Sequence, residues 1–535
     1  MSKRTIRDLI LAAIILISVV GGVIAVYATA NGPWGYTDPV VYISTARSLD
    51  QGQGLVYYEA DAAFRPITIQ PPFYPIVLGA IGLFQVNLVV AARWLNIFAF
   101  IASIFIAGWI FHRYSRVPAL GIVASALMCA FPHMVVMFSS AYSEPLFILL
   151  FLSGGLALLA YLQTKKTSML LLSAVLVGLI PATRYAGIAM ILAGGMSILL
   201  LGSGKNWVRI KPAALFTLVA SLPVLLWLIG IYFATAHSVG GRNLGLDWHG
   251  FSAMFQDFRG IFMDTVWKWV PFQSHEMLLR YRLRFIIMGI GLAAGLALVL
   301  MAARRLRKNS EDSHHSGMEI FTFFGLSSVM FLLVLLGTYL FTRPTIDVDN
   351  RMLLPLYVGS VMSFYAAFAL WQAAWFRGSL RVLRIVPWLI AVLCVAWYFP
   401  QTRDKVTFYH AGDGLTAYRW NRSEIIQAVR ALPDEQAVIS NDWELLQLWT
   451  GRPIHGFWNT FPSKPPIQAG AYGTAPGDPV QSVFCKQGAA LVIFTDFPTQ
   501  FRDKVGEDPV ELMHGLFTGL TVYGMYSDGK IYLCR

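Results

Sequence analysis

Apolar runs of membrane-crossing length recur along most of this chain, and no other feature restricts the fold as strongly. They lie near 8–29, 89–111, 117–137, 143–163, 168–182, 184–203, 212–236, 284–303, 318–341, 351–375 and 383–400. A helix needs about 20 apolar residues to cross the hydrocarbon of a bilayer. No water is available there for backbone N–H and C=O groups, so each run must satisfy its own hydrogen bonds as a helix. Composition agrees: 56% of residues are hydrophobic and 13% charged, against about 25% charged in soluble domains. The expected fold class is a polytopic α-helical membrane protein with about 11 transmembrane helices. The stretch Pro72–Phe84 is apolar but too short to span, and reads as an interfacial or re-entrant helix. Lys3, Arg4 and Arg7 precede the first run. That run exceeds the roughly 7–15 residues of a cleavable signal core, so it reads as a retained helix.

Charge is distributed unevenly. The net charge is +12, yet residues 401–535 carry 12 basic and 14 acidic side chains. The excess sits in short loops of one parity, at Arg113/Arg116, Lys165/Lys166, Lys205/Arg209/Lys211, Arg304/Arg305/Arg307/Lys308 and Arg377/Arg381/Arg384. Basic inner loops are the usual pattern of a multi-pass protein. The expected arrangement is therefore a cell (inner) membrane protein with a cytoplasmic N-terminus and an extracytoplasmic C-terminal region. Scattered basic residues in short loops argue against nucleic acid as a partner, and membrane lipids are the expected surroundings.

Two domains are expected. Residues 1–400 form the membrane domain, with a first outer loop over 30–88 and another over 237–283. Residues 401–535 alternate helical runs with β-like ones at 437–440, 490–494, 520–525 and 530–534, and read as an extracytoplasmic α/β domain. Cys129 and Cys394 fall in apolar runs. Cys485 and Cys534 both fall in the outer domain, where an oxidising compartment permits a disulfide between them.

The polar residues that could carry chemistry gather on the outer side. Asp38 follows the first apolar run in Trp34-Gly-Tyr-Thr-Asp38-Pro-Val-Val-Tyr42, and Pro39 suits the first turn of a helix. It is either a helix cap or a functional acid. Glu144 lies at the mouth of the fourth run, in Ser143-Glu144-Pro145-Leu146-Phe147. An acid at a membrane boundary is costly unless it is paired or used. Arg184 opens the sixth run, and Arg351 opens the tenth, just after Asp349. Each arginine is either a headgroup anchor or a fork for phosphate. Arg65, Gln70, Tyr74, Asp349 and His275 are further candidates for sugar contacts. The His275-Glu276 pair is a weak metal signal, so a divalent metal is an open alternative and no cofactor is certain.

Taken in order, several of these pieces resemble a known family. They are the acid after the first run, then Tyr42, Ala46, Leu49, Gly52-Gln-Gly54 and Gln70-Pro-Pro-Phe-Tyr-Pro75. Ser143-Glu-Pro-Leu-Phe147 and Arg351-Met-Leu-Leu-Pro355 follow. The chain resembles the GT-C glycosyltransferases, in the branch of protein O-mannosyltransferases and aminoarabinose transferases. The likeness is strongest to about residue 190 and returns near Asn350. It implies an inverting enzyme that moves a sugar from a polyprenyl-phosphate donor to a glycan, lipid or protein acceptor at the outer face of the membrane, with base and leaving group on opposite faces of the sugar. Asp38 and Glu144 would be the catalytic carboxylates, with Arg351 and Arg184 on the donor phosphate. Two rival classes use the same residues differently: a transporter or flippase of a lipid-linked sugar, and a non-catalytic membrane scaffold.

Overall fold

The computed structural model describes residues 2–202, 206–235, 243–245, 251–271, 295, 297, 300–301, 317–343, 346, 348–375, 378–460, 488–505, 517 and 520–533. The chain divides into two compact units. One is helical and comprises Met1–Ala28, Thr68–Tyr74 and Trp94–His410; the other is mixed and comprises Thr29–Ile67, Pro75–Arg93 and Ala411–Arg535.

Among the described residues, seven helices are long and apolar enough to cross a membrane: Lys3–Ala28, Leu88–Tyr114, Glu144–Thr164, Trp207–Thr235, Met318–Phe341, Leu354–Ala374 and Val382–His410. An eighth span is reached if Leu120–Ala130 and Pro132–Phe138, bent by 65° at Phe131, count as one. The chain is thus a multi-pass membrane protein. Among the described residues the count is seven or eight, against the expected count of about 11. Thr167–Thr183 and Tyr185–Leu201 are helical but shorter, and 284–303 falls largely outside the described residues. Phe73–Gly82 is a ten-residue apolar helix, as its length led one to expect.

Burial ranks the spans. Glu144–Thr164 and Leu354–Ala374 are central, with 78% and 72% of their apolar windows buried, whereas Trp207–Thr235 has 22%. Leu226 and Phe233 on that last helix point outward, where lipid is as good a solvent for them as protein. Without a hydrophobic drive between helices, close approach and polar links hold such a bundle. Ser173 Oγ donates to Gly154 O at 2.9 Å and Ser125 Oγ to Ile104 O at 3.0 Å, each from one helix to another. A Cβ at Gly178 would lie 2.5 Å from Ala220 O, so two helix backbones nearly touch there. Gly178→Val should therefore cost about 1–3 kcal/mol or more by overpacking. Gly230→Val should be tolerated, because nothing among the described residues lies within 4 Å of that Cβ. Thermal unfolding of both variants in detergent checks the contrast.

The last span continues well past residue 400, the boundary expected from hydropathy, and ends at His410. Tertiary contacts carry the extra turns. Thr402 Oγ1 donates to Ala130 O at 2.6 Å, and the His410 ring stacks on Tyr27 at 4.1 Å.

In the helical unit, β3 Asn243–Leu244 pairs antiparallel with β4 Thr342–Arg343. In the mixed unit, five strands form a sheet in the order β6-β5-β7-β9-β8: β5 Val438–Ser440, β6 His455–Gly456, β7 Ala490–Phe494, β8 Thr521–Tyr526 and β9 Gly529–Leu533. β5 pairs in parallel with β6 and β7, and β9 pairs antiparallel with β7 and β8. All five residues of β7 are buried, which matches its unbroken apolar run Ala-Leu-Val-Ile-Phe, since a central strand is covered on both faces. The α/β reading of this region holds. The strands expected at 437–440, 490–494, 520–525 and 530–534 are present within a residue or two. The two-residue β6 had no hydropathic signature. Glu424–Arg430 is capped by Ser423, whose Oγ accepts from Ile426 N at 3.2 Å.

The residues of the expected first loop belong largely to this unit. The hairpin of β1 Val56–Tyr58 and β2 Phe64–Pro66 is joined to it where Gly456 N donates to Ala60 O at 2.6 Å. Arg47 donates to Gln447 O at 3.2 Å and to Leu448 O at 2.8 Å. These carbonyls belong to the last turns of the helix Trp443–Thr450, where a cation complements the helix dipole.

A polar network closes the end of the parallel strands. Asn441 Oδ1 accepts from Phe494 N at 2.9 Å, and Gln500 Nε2 donates to Asp442 Oδ1 at 3.1 Å and Asp496 Oδ2 at 2.8 Å. Burial, and then the charge of Asp496, push the Asp442 carboxyl up to about 7. A raised carboxyl binds its proton more tightly in the folded state. Its contribution to stability is full below the unfolded value of about 3.9 and is lost as pH rises through about 7. Asp442→Asn keeps the Oδ1 acceptor and removes the titration. It should raise the unfolding midpoint at pH 8 relative to the unmutated chain and leave it little changed near pH 4, as thermal melts at the two pH values will check.

Candidate functional site

In the helical unit, Glu144 is the centre of a charged cluster. The non-helical turn before Glu144 and Pro145 at the helix start place its carboxylate in a first helical turn, where the helix dipole favours an anion. Its side chain is almost fully buried, and its Oε1 accepts from both Arg184 Nη1 and Arg351 Nε. Arg184 reaches it because the preceding helix stops at Thr183 and the chain turns extended at φ −153°, ψ 127°. Its Nη2 also lies 2.8 Å from Met352 Sδ. Arg351 sits in the turn before Leu354–Ala374, its guanidinium carbon 4.1 Å above the centre of the Tyr142 ring. Asp349 Oδ1 accepts from Met352 N at 2.8 Å, so this exposed acid shapes the turn that presents Arg351.

A space of about 10 Å³ adjoins the cluster, lined by the three charged side chains and by Phe147, Ala186, Phe331, Met352 and Pro355. That is room for about one water. Glu144 Oε2 is buried there without a hydrogen-bond partner among the described residues. The three side chains sum to one positive charge, and two guanidinium forks meet in a half-buried setting. Such forks match the oxygens of a phosphate or carboxylate.

Other expected residues fall elsewhere. Tyr74 is fully buried, its hydroxyl 3.4 Å from Asn96 Oδ1, while Asn96 donates to Ser140 O at 2.6 Å and Tyr142 O at 3.0 Å. It thus braces, through Asn96, the turn that leads into Glu144. Gln70 is half-buried in the same unit. Arg65 lies in the hairpin of the mixed unit, pairing with Glu59 at 3.1 Å and with Asp61. Its ion pairs close that turn. His275, Cys485 and Cys534 lie outside the described residues, and the expected disulfide with them. Among the described residues, no group of three His, Cys, Asp or Glu side chains is arranged to hold a metal.

Asp38 lies in the mixed unit, in the first turn of the helix Thr37–Asp50, whose N-cap is Tyr36. The capping position is therefore one that Asp38 does not occupy. Beside it is a residue that sequence reading missed. Glu444 Oε2 accepts from Thr37 Oγ1 at 3.3 Å. Burial raises the Glu444 carboxyl above its ordinary range, and the charge of Asp38 raises it further, against the lowering effect of the Thr37 hydrogen bond. Thr37 and Glu444 are 407 residues apart, so no local pattern could have paired them.

No protein-family model matches the sequence, and neither does any curated protein. Solved structures do. ArnT from Cupriavidus metallidurans bound to undecaprenyl phosphate is similar over 97% of this chain and 97% of its own, with a TM-score of 0.52 and 12% identity. The same protein in the apo state gives 0.50 and 14% over the same shares. At that identity the likeness is one of fold: this chain folds as ArnT does, as a bundle of apolar helices with a C-terminal sheet.

Proposed function

We propose that this protein is a GT-C-type glycosyltransferase that takes a sugar from a polyprenyl-phosphate donor and gives it to a glycan, lipid or protein acceptor. The observation that carries the reading is the convergence of Arg184 and Arg351 on the buried Glu144 at the ends of membrane helices. Two guanidinium groups oriented by one carboxylate are suited to a lipid phosphate whose tail stays in the bilayer. The undecaprenyl phosphate bound to the structurally similar ArnT supports the same donor chemistry.

The transfer this assigns is a single displacement with inversion. The acceptor hydroxyl oxygen bonds to the anomeric carbon while the bond from that carbon to the phosphate oxygen breaks. The hydroxyl proton passes to a carboxylate base, a role proposed for Asp38. The electron pair of the broken bond stays on the lipid phosphate, whose charge the arginines hold. Glu144 is then the counter-ion that orients both arginines.

Purified protein in vesicles, given polyprenyl phosphate bearing a radiolabelled pentose or hexose, should release free lipid phosphate and labelled product. Movement of the intact donor between leaflets with no sugar released would identify a flippase instead. The proposal includes an inner-membrane location with the N-terminus in the cytoplasm and the C-terminal unit outside. A C-terminal alkaline phosphatase fusion should be active and a C-terminal green fluorescent fusion dark; the opposite pair of results would reverse the orientation.

A further inference from the structure

A cavity of about 290 Å³ opens in the C-terminal domain, lined by Asn441, Trp443, Trp458, Asn459, Gln500 and Asp503. Its place in the fold is informative. Asn441 and Trp443 follow β5, Trp458 and Asn459 follow β6, and Gln500 and Asp503 lie on Phe497–Val505, the helix after β7. The three parallel strands of the sheet thus each contribute two lining residues beyond their carboxyl ends. In open α/β sheets, the crevice outside the carboxyl ends is where ligands bind.

The lining specifies a kind of ligand. Two indoles supply flat apolar surface, and three amides and one carboxylate surround them. None of the six is cationic, and Asp442 and Asp496 lie behind them in the same network. An anionic ligand is therefore disfavoured, whether a phosphate or a carboxylate. Amide side chains both donate and accept, as hydroxyl groups do. The volume is at the low end of the roughly 300–1,000 Å³ of small-molecule sites, which suits a sugar ring or two and is too small for a lipid chain.

The wall is also held in position before any ligand arrives. Asn441 is only 6% exposed. Its Oδ1 accepts from Phe494 N, and its Nδ2 donates to Asp496 Oδ1 at 3.3 Å. These bonds use one of its two N–H groups. Gln500 Nε2 is spent on Asp442 and Asp496, and its Oε1 accepts from Trp458 Nε1 at 3.3 Å. The Trp458 ring stacks on Phe497, with centroids 5.6 Å apart and planes 22° apart. Rigid aromatic and amide groups lose little freedom on binding.

We propose that this cavity is a carbohydrate-binding subsite that takes a neutral sugar ring, apolar face against the indoles and hydroxyls toward Asn441, Asn459 and Asp503. The subsite lies wholly within the C-terminal domain and shares no residue with the charged cluster around Glu144.

The test is saturation-transfer NMR on the full-length protein in lipid nanodiscs, so that no glycoside detergent competes. The probes are methyl α-glucopyranoside, methyl α-mannopyranoside, methyl α-galactopyranoside and methyl β-xylopyranoside, each at millimolar concentration. At least one should receive saturation on its ring protons, and glucose 6-phosphate should not displace it. Trp443→Ala should weaken binding by about three- to tenfold, as the loss of one aromatic contact does. Asn459→Ala and Asp503→Ala, at exposed positions that leave the core intact, should each weaken it as well. Arg351→Ala should leave it unchanged. Absence of transfer to every probe would overturn the proposal. So would transfer that persists unchanged in the Asn459→Ala/Asp503→Ala double variant. The measurement needs no donor lipid, so its failure and the failure of the transferase reading are distinguishable.

Discussion

Asp38→Asn is expected to lower sugar transfer by about 10²–10⁴-fold, the range lost when a general base is removed, while the protein still folds and binds donor lipid. The substitution keeps the side chain's size. The helix N-cap is Tyr36, so the change removes no capping residue, and the loss of a first-turn anion costs about 0.3–1 kcal/mol. It also removes a negative charge near the half-buried Glu444, which acts in the stabilising direction. A merely structural Asp38 would thus give a stable variant with near-normal turnover, and that result would end its assignment as base. Initial rates with labelled donor, alongside a thermal melt of the same preparation, separate the outcomes. Glu444→Gln gives a second measure. If Glu444 helps set the proton affinity of Asp38, removing its charge should shift the acidic limb of the pH–rate profile to lower pH. Turnover at the plateau should change much less.

Arg351→Ala is expected to lower transfer by about 10²–10³-fold, the usual cost of one group that stabilises developing charge. Arg351→Lys should recover part of this and no more, because an ammonium lacks the planar fork that holds phosphate oxygens and stacks on a ring such as Tyr142. Folding should survive both changes, since Glu144 retains Arg184. Removing the carboxylate is a different experiment. Glu144→Gln leaves two half-buried guanidinium groups without their shared anion, and breaking a buried pair in this way costs about 3–5 kcal/mol. Added polyprenyl phosphate should raise the melting temperature of Glu144→Gln by more than that of the unmutated chain, because the lipid phosphate then supplies the missing negative charge. Equal activity of Arg351→Ala and the unmutated chain would reduce Arg351 to a headgroup anchor.

Much of the class and some of the site could be read from residue order. A run such as Leu146–Leu162 is apolar on every side, so it must be a buried or membrane helix whatever surrounds it. β7 is legible for a similar reason, because five consecutive apolar residues with β-branched members suit a strand covered on both faces. Glu144, Arg184 and Arg351 stood out because a charge beside twenty apolar residues is expensive and calls for a use. These inferences depend on transfer free energies, which are local properties of a segment.

Tertiary structure alone decided which charges meet. Arg184 and Arg351 are 40 and 207 residues from Glu144 and share its Oε1; sequence spacing carries no information about such a pair. Packing likewise placed Tyr74 in the core against Asn96 and committed Arg65 to its own hairpin, although both had the chemistry of sugar contacts. It joined residues of the first loop to the C-terminal sheet, bringing Thr37 to Glu444. It also extended the last span to His410, past the point where hydropathy falls. The reason is the same in each case. Hydrophobic burial acts on any apolar residue wherever it lies, whereas a hydrogen bond or ion pair needs particular atoms within about 3 Å, and only the folded chain sets those distances.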